Sequence, residues 1–163
     1  MENKWVETKF LYLIPQTIEK SRTIYKKEMK KTLIFAGISI LIAIALGAMG
    51  AHYLRETLEF PPAKIESWKT AVQYQSFHGL ALISMVVLQQ VLSSLSLKKS
   101  ILFIKIGMTL FAGSIYLLTL NYSWKLEMLS KIMGPLTPIG GLCMLIGWTL
   151  FILNVLNWNN EQR

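Results

Sequence analysis

Residues 33–51 read LIFAGISILIAIALGAMGA, and this stretch decides the fold. It contains no charged residue, and as a helix rising ~1.5 Å per residue it would be about 28 Å long, close to the ~30 Å hydrocarbon core of a bilayer. Three further apolar stretches of similar length follow, at residues 71–95, 101–121 and 138–156. The sequence therefore predicts an all-α, polytopic membrane protein, a four-helix transmembrane bundle.

The composition of the whole chain agrees with this prediction. Of the 163 residues, 53% are hydrophobic and only 16% are charged, whereas a soluble domain usually carries about 25% charged residues. The length suffices for one domain. The single cysteine, Cys143, cannot form an intramolecular disulfide, and the chain has no cysteine cluster for zinc or an iron–sulfur centre.

Basic residues are concentrated on one side of the predicted membrane domain. Eight of the 17 Lys and Arg lie within residues 1–31, and with the loops and tail the count is eleven on that side against five on the other. The positive-inside rule then predicts that both termini are cytoplasmic. Lys105 lies one turn inside the third span, where its stem can reach the cytoplasmic interface. No nucleic-acid-binding motif accompanies these charges, so the expected partner is the lipid bilayer.

Three regions are predicted along the chain. Residues 1–28 form a basic cytoplasmic extension, residues 29–157 the four-helix transmembrane domain, and residues 158–163 a short cytoplasmic tail. The extension is either a basic amphipathic helix on the cytoplasmic leaflet or the product of a mis-assigned start, with translation beginning at Met29. The two interpretations remain open.

Local signals predict helix ends and the membrane interface. A proline at the first helical position predicts that the fourth helix begins at Pro138, or alternatively at Pro135. Residues 55–69 are interpreted as an interfacial stretch leading into the second helix. An aromatic belt is predicted at the outer membrane face. Its members are Trp68, Tyr74, Tyr122 and Trp124.

Small residues recur within three of the predicted spans, most clearly every four residues in the first. Such residues let helix backbones approach closely, which drives association in lipid. Tight packing is the main interpretation, with contact to a ligand as a minor alternative. The predicted packing residues are Ala43, Gly47, Gly50, Ala51, Gly113, Gly140, Gly141 and Gly147.

The polar residues of the spans fall mainly in the outer half of the bundle, and they are the candidate site, either ligand-binding or structural. Its members are His52, Gln73, Tyr74, Gln75, His78, Ser114, Tyr116 and Thr137. His78 is expected to hydrogen-bond Ser114 or Tyr116 and so hold helices together. A two-histidine site could alternatively ligate haem b. Zinc lacks two further ligands, and no metal site is predicted.

Four sequence blocks resemble a known family. They are GAMGAH (47–52), TAVQYQSFHGLAL (70–82), FAGSIYLLTL (111–120) and GPLTPIGGLCMLIGW (134–148). In order and spacing they are similar to domain-of-unknown-function family 423, a family of small bacterial inner-membrane proteins with eukaryotic small transmembrane relatives. The resemblance covers about residues 29–156. It implies a four-helix protein of the inner membrane and leaves the activity open.

No catalytic constellation accompanies the polar residues: the chain has no paired intramembrane carboxylates, nucleophile motif or phosphate loop. The leading hypothesis is therefore a non-enzymatic accessory or assembly subunit that binds a lipid, a small molecule or a partner protein, with other membrane proteins or further copies as candidate partners. No cofactor is predicted under this hypothesis. The alternative is a redox-linked subunit that binds haem or quinone near His52, His78 and Tyr74.

Overall fold

The computed structural model describes residues 3–92 and 94–158, and over these residues it is built from helices joined by short turns. The elements are α1 (Asn3–Met49), which continues as a π-helical segment (Gly50–Thr57), then α2 (Pro62–Val91), α3 (Lys98–Trp124) and α4 (Glu127–Trp158). Each of the four helices contains a stretch long and apolar enough to cross a membrane. The predicted fold class, an all-α four-helix transmembrane bundle, is confirmed.

The helices pack in chain order, α1 on α2, α2 on α3 and α3 on α4. Short connections make consecutive helices antiparallel neighbours. Among the described residues, no Cα atom of α1 lies within 8 Å of a Cα atom of α3 or α4. The bundle is therefore not closed by backbone packing between α1 and α3.

Glycines bring α3 and α4 into backbone contact. A Cβ added to Gly107 would lie 2.7 Å from both the carbonyl oxygen of Gly140 and the backbone nitrogen of Met144, and one added to Gly147 would lie 3.1 Å from the backbone nitrogen of Ile104. Only residues without a side chain permit this approach, and the resulting van der Waals contact stabilises helix pairs in lipid.

Trp68 explains the end of α1. Its ring packs on Gly50, where a Cβ would overlap the indole, and its Nε1 donates to the Leu46 carbonyl at 2.7 Å. In a regular α-helix the Leu46 carbonyl would accept the N–H of Gly50. Because the Trp68 side chain binds this carbonyl, the helix changes from α to π winding at Gly50. Trp68 is 1% exposed. Its predicted place in an outer aromatic belt is wrong, because the ring fills the helix interface.

Helix α4 begins at Glu127, so both predicted starts are wrong and Pro135 and Pro138 lie inside the helix. Asn121 sets the actual start: its Oδ1 accepts the Leu126 N–H at 3.0 Å and its Nδ2 donates to Ser130 Oγ at 2.8 Å. Each internal proline removes one backbone hydrogen bond, which membrane helices tolerate when neighbouring groups compensate.

The N-terminal region is continuous with the first span. The backbone of α1 is helical from Asn3 onward, without a break at residue 28. Its position on the cytoplasmic leaflet and the start at Met1 or Met29 stay predictions. Most of the predicted tail, residues 159–163, lies outside the described residues.

Candidate functional site

A groove of about 300 Å³ runs between α1 and α3 where their backbones do not meet. We call it the α1–α3 groove, and its lining residues are Phe35, Ile38, Ser39, Ile42 and Leu46 of α1, Gln75 of α2, and Met108, Thr109, Ala112, Gly113 and Tyr116 of α3. Ile38 is 52% exposed and Ile42 is 44% exposed. These two side chains mark the open side of the groove, along the most apolar stretch of the chain.

Small residues of α3 keep the groove open. A Cβ added to Gly113 would meet no heavy atom within 4 Å, so the space beside it is unfilled. From Phe35 to Leu46 the groove follows α1 for about 16 Å at ~1.5 Å per residue. This length is about half of a ~30 Å hydrocarbon core, the depth of one leaflet.

The floor of the groove is a hydrogen-bonded chain across three helices. The Tyr116 hydroxyl donates to Gln75 Oε1 at 2.9 Å, and Gln75 Nε2 donates to the Ser39 carbonyl at 2.9 Å. Gln75 is 8% exposed. Among the described residues, every fully buried side-chain nitrogen or oxygen atom has a hydrogen-bond partner. The floor thus ties α1, α2 and α3 together, and the groove offers a ligand mainly apolar contact.

His78 lies outside this chain, and its predicted hydrogen bond to Ser114 or Tyr116 is wrong. His78 Nδ1 is 2.8 Å from the Tyr74 carbonyl oxygen, and Trp148 Nε1 donates to His78 Nε2 at 3.2 Å. Because a carbonyl only accepts, Nδ1 carries the proton and Nε2 accepts, as in a neutral imidazole. The histidine therefore joins α2 to α4.

The remaining polar candidates are dispersed. Ser114 and Thr137 share a hydrogen bond of 2.7 Å between α3 and α4. His52 Nδ1 is 3.5 Å from a carboxylate oxygen of Glu56, with 77% of its side chain exposed. Gln73 is exposed. The structure places the predicted site residues in separate contacts rather than in one cluster.

The haem alternative would need the Nε2 atom of His78 as an iron ligand, and in this structure that atom accepts a hydrogen bond from Trp148. Both ring nitrogens of His78 are engaged, so ligation of iron would require breaking the bond from Trp148. Tyr74 stacks on the His78 ring with a centroid separation of 5.8 Å. Over the part of the chain that the structure describes, no three His, Cys, Asp or Glu side chains are grouped as metal ligands.

The small residues singled out from the sequence occupy different surroundings. Ala43 is fully buried. A Cβ at Gly47 would lie 3.5 Å from Val72, and one at Gly141 would lie 3.9 Å from the Phe111 ring. Gly50, Gly140 and Gly147 are in tight contact with neighbouring helices, whereas Ala51 is exposed and Gly113 faces the groove.

Sequence reasoning missed several residues that build these contacts. Ser39 was recognisable as the single polar residue of the first apolar run. Gly79, where a Cβ would lie 2.7 Å from Ile40, is the single glycine of α2, and Gly107 lies six residues before Gly113 in α3, so neither carried a four-residue repeat signal. Trp148 gave no indication of its partner, because helix rotation decides which residues meet.

The fold and its groove define a polytopic integral membrane protein with four spans. A family model described as "Protein of unknown function (DUF423)" matches residues 46–141, and the chain belongs to this family. It is 37% identical over 125 residues to UPF0382 inner membrane protein YgdD of Escherichia coli strain K12, covering 76% of this chain and 88% of that protein. It is 32% identical over 126 residues to UPF0382 membrane protein YwdK of Bacillus subtilis strain 168, covering 77% and 95%. No solved structure matches.

Proposed function

We propose that this protein is a non-enzymatic lipid-binding protein of the bacterial inner membrane that holds one acyl chain in the α1–α3 groove. The observation that supports the proposal is the groove itself. Its volume of about 300 Å³ is at the lower end of the ~300–1,000 Å³ typical of ligand sites, which are mostly apolar with few polar groups. The groove follows about one leaflet's depth of helix α1.

The surroundings of the groove favour a lipid over a water-soluble ligand. Its open side lies beside Ile38 and Ile42, within a run of residues that lack charge. In a membrane the molecules adjacent to this side are acyl chains. The polar atoms of the floor are already paired with one another, so binding there would depend on apolar contact.

The proposal places both termini in the cytoplasm and gives the protein an accessory or assembly role. The eleven-to-five distribution of basic residues supports this orientation. The Escherichia coli relative is named an inner membrane protein. Among the described residues, neither histidine hydrogen-bonds to a serine, threonine or cysteine, so the contacts offer no activated nucleophile.

The proposal is tested with a substitution whose side chain fills the groove. Gly113→Leu places a side chain in the open space beside α3, and Gly37→Leu is the matched control, since a Cβ at Gly37 also meets nothing within 4 Å but Gly37 does not line the groove. Native mass spectrometry in mild detergent should find one lipid per wild-type chain. Gly113→Leu should lose most of that lipid, and Gly37→Leu should retain it.

Equal lipid retention by Gly113→Leu and the wild type would contradict the proposal. A wild-type protein without bound lipid in several mild detergents would do so as well. Quinone in place of lipid on solvent extraction would overturn it in favour of the redox alternative.

A further inference from the structure

A second cavity, of about 230 Å³, adjoins the α1–α3 groove at the end nearer the N-terminus of α1. We call it the basic cavity, and its lining includes Tyr25, Glu28, Gln89, Lys98 and Lys105. Tyr25 and Gln89 are paired with each other: the tyrosine hydroxyl donates to the Gln89 carbonyl, and Gln89 Nε2 donates back, each at 3.3 Å. Lys98 and Lys105 are therefore the lining side chains whose charge could bind an anion.

The two lysines place two positive charges on one face of α3. They are seven residues apart, two helical turns, so they share that face. Lys98 Nζ lies 6.0 Å from the Tyr25 ring centroid, and Lys105 Nζ lies 5.1 Å from the Phe35 ring centroid. Neither forms an ion pair within the described part of the chain. The acidic lining residue, Glu28, accepts from Lys31 Nζ at 2.7 Å.

The basic cavity and the groove follow one another along α1 and α3. Met29 and Thr32 line the basic cavity on α1, and Phe35, one turn further along, lines the groove. On α3, Lys105 belongs to the basic cavity and Met108 to the groove. The Lys105 ammonium over the Phe35 ring marks the boundary. A ligand that occupies both the basic cavity and the groove would have an anionic end and an apolar end.

We infer that the bound lipid is an anionic phospholipid, whose phosphate is bound by Lys98 and Lys105 and whose acyl chain passes Phe35 into the α1–α3 groove. The inference rests on the proposed function and adds the class of headgroup to it. Basic cavities between membrane helices on the cytoplasmic side bind anionic headgroups in this way. Lysine stems near helix ends reach such an interface readily. The half-buried Lys105 is therefore a binding group as well as an interfacial anchor.

The experiment measures which lipid class is retained. Full-length protein is equilibrated with equal amounts of phosphatidylglycerol and phosphatidylcholine, and the bound lipid is identified by native mass spectrometry. The wild type should favour phosphatidylglycerol. Lys98→Gln with Lys105→Gln should lower that preference about 30-fold, as two lysines near a membrane surface would give. Lys98→Arg with Lys105→Arg should preserve it.

The matched control removes the same charge at the same end of the bundle. Lys30→Gln with Lys99→Gln alters two exposed lysines that do not line the basic cavity, and it should leave the preference unchanged. An unchanged preference in the Lys98 and Lys105 double variant would overturn the inference, as would an equal loss in the control.

Failure of the inference and failure of the proposed function are distinguishable by the amount of bound lipid. A wild type that retains lipid, loses it in Gly113→Leu and shows no headgroup preference would overturn the anionic site alone. A wild type that retains neither lipid class would overturn both. Phosphatidylcholine bound by the lysine variant in undiminished total amount would support the groove as an acyl-chain site.

Discussion

The two sides of α3 differ although both contain glycine. On the side toward α4, Gly107 and Gly140 bring the backbones into contact, so that a Cβ at Gly107 would lie 2.7 Å from the Gly140 carbonyl. On the side toward α1, a Cβ added to Gly113 would meet no heavy atom within 4 Å, and the space beside it is the α1–α3 groove. A small residue in a membrane helix therefore closes an interface only where atoms of the facing helix reach it. Where the facing residues are Ile38 and Ile42, it leaves space for a ligand.

The variant with the largest expected effect disrupts the backbone contact between α3 and α4. Gly140→Ala places a methyl group against the Phe111 backbone and the Gly107 carbonyl, and neither backbone can move without separating α3 from α4. The free energy of unfolding in detergent should fall by about 2–3 kcal/mol, as expected for overpacking. Steric trapping or reversible denaturation would measure it.

The control for this change lies on the same helix. A Cβ at Gly141 would lie 3.9 Å from the Phe111 ring, an ordinary van der Waals contact, so Gly141→Ala should leave stability unchanged or raise it by up to about 1 kcal/mol. Equal destabilisation by both variants would show that helix α4 resists any added methyl group, and the glycine contact would lose its special role.

The sequence specified the helices far better than their rotations. Four apolar stretches and their order follow from hydropathy, because crossing a bilayer demands length and the absence of charge. The start of α4 was misjudged because proline resembles a first-turn residue, whereas the side chain of Asn121 sets the actual start. Local sequence does not reveal a cap supplied from the preceding helix.

The candidate site was predictable only in part. Tyr116 and Gln75 were both predicted among the polar residues of the outer half of the bundle, and the structure joins them at 2.9 Å. His78 was assigned to the same group, but it faces Trp148. A rotation of one residue changes the direction of a helical side chain by about 100°, and neither periodicity nor hydropathy fixes that angle in a helix apolar on most sides.

A variant with a smaller expected effect tests the hydrogen-bonded floor of the α1–α3 groove. Tyr116→Phe removes the donor to Gln75 Oε1 and leaves the packing of the ring against Trp68 in place, at a centroid separation of 4.7 Å. Stability should fall by about 1 kcal/mol, the scale of interhelical hydrogen bonds in membranes. The same assay used for Gly140→Ala measures it.

Tyr122→Phe is the control for the floor variant, since Tyr122 is 48% exposed and its hydroxyl makes no hydrogen bond among the described residues. It should change stability by less than about 0.5 kcal/mol, as surface substitutions usually do. If Tyr116→Phe matched this control, Gln75 would have found another donor, and the hydrogen-bonded floor would not hold α3 to α2.

The smallest expected effect concerns Gly113, on the side of α3 that faces α1. Gly113→Ala adds a methyl group to unfilled space, and alanine is the better helix former, so stability should rise by about 0.5–1 kcal/mol. Gly37→Ala, which also meets nothing within 4 Å, should give a similar rise. A loss of stability at Gly113 with a gain at Gly37 would mean that α1 and α3 close on each other in the bilayer. The groove would then be a tight contact like that between α3 and α4, with no room for an acyl chain.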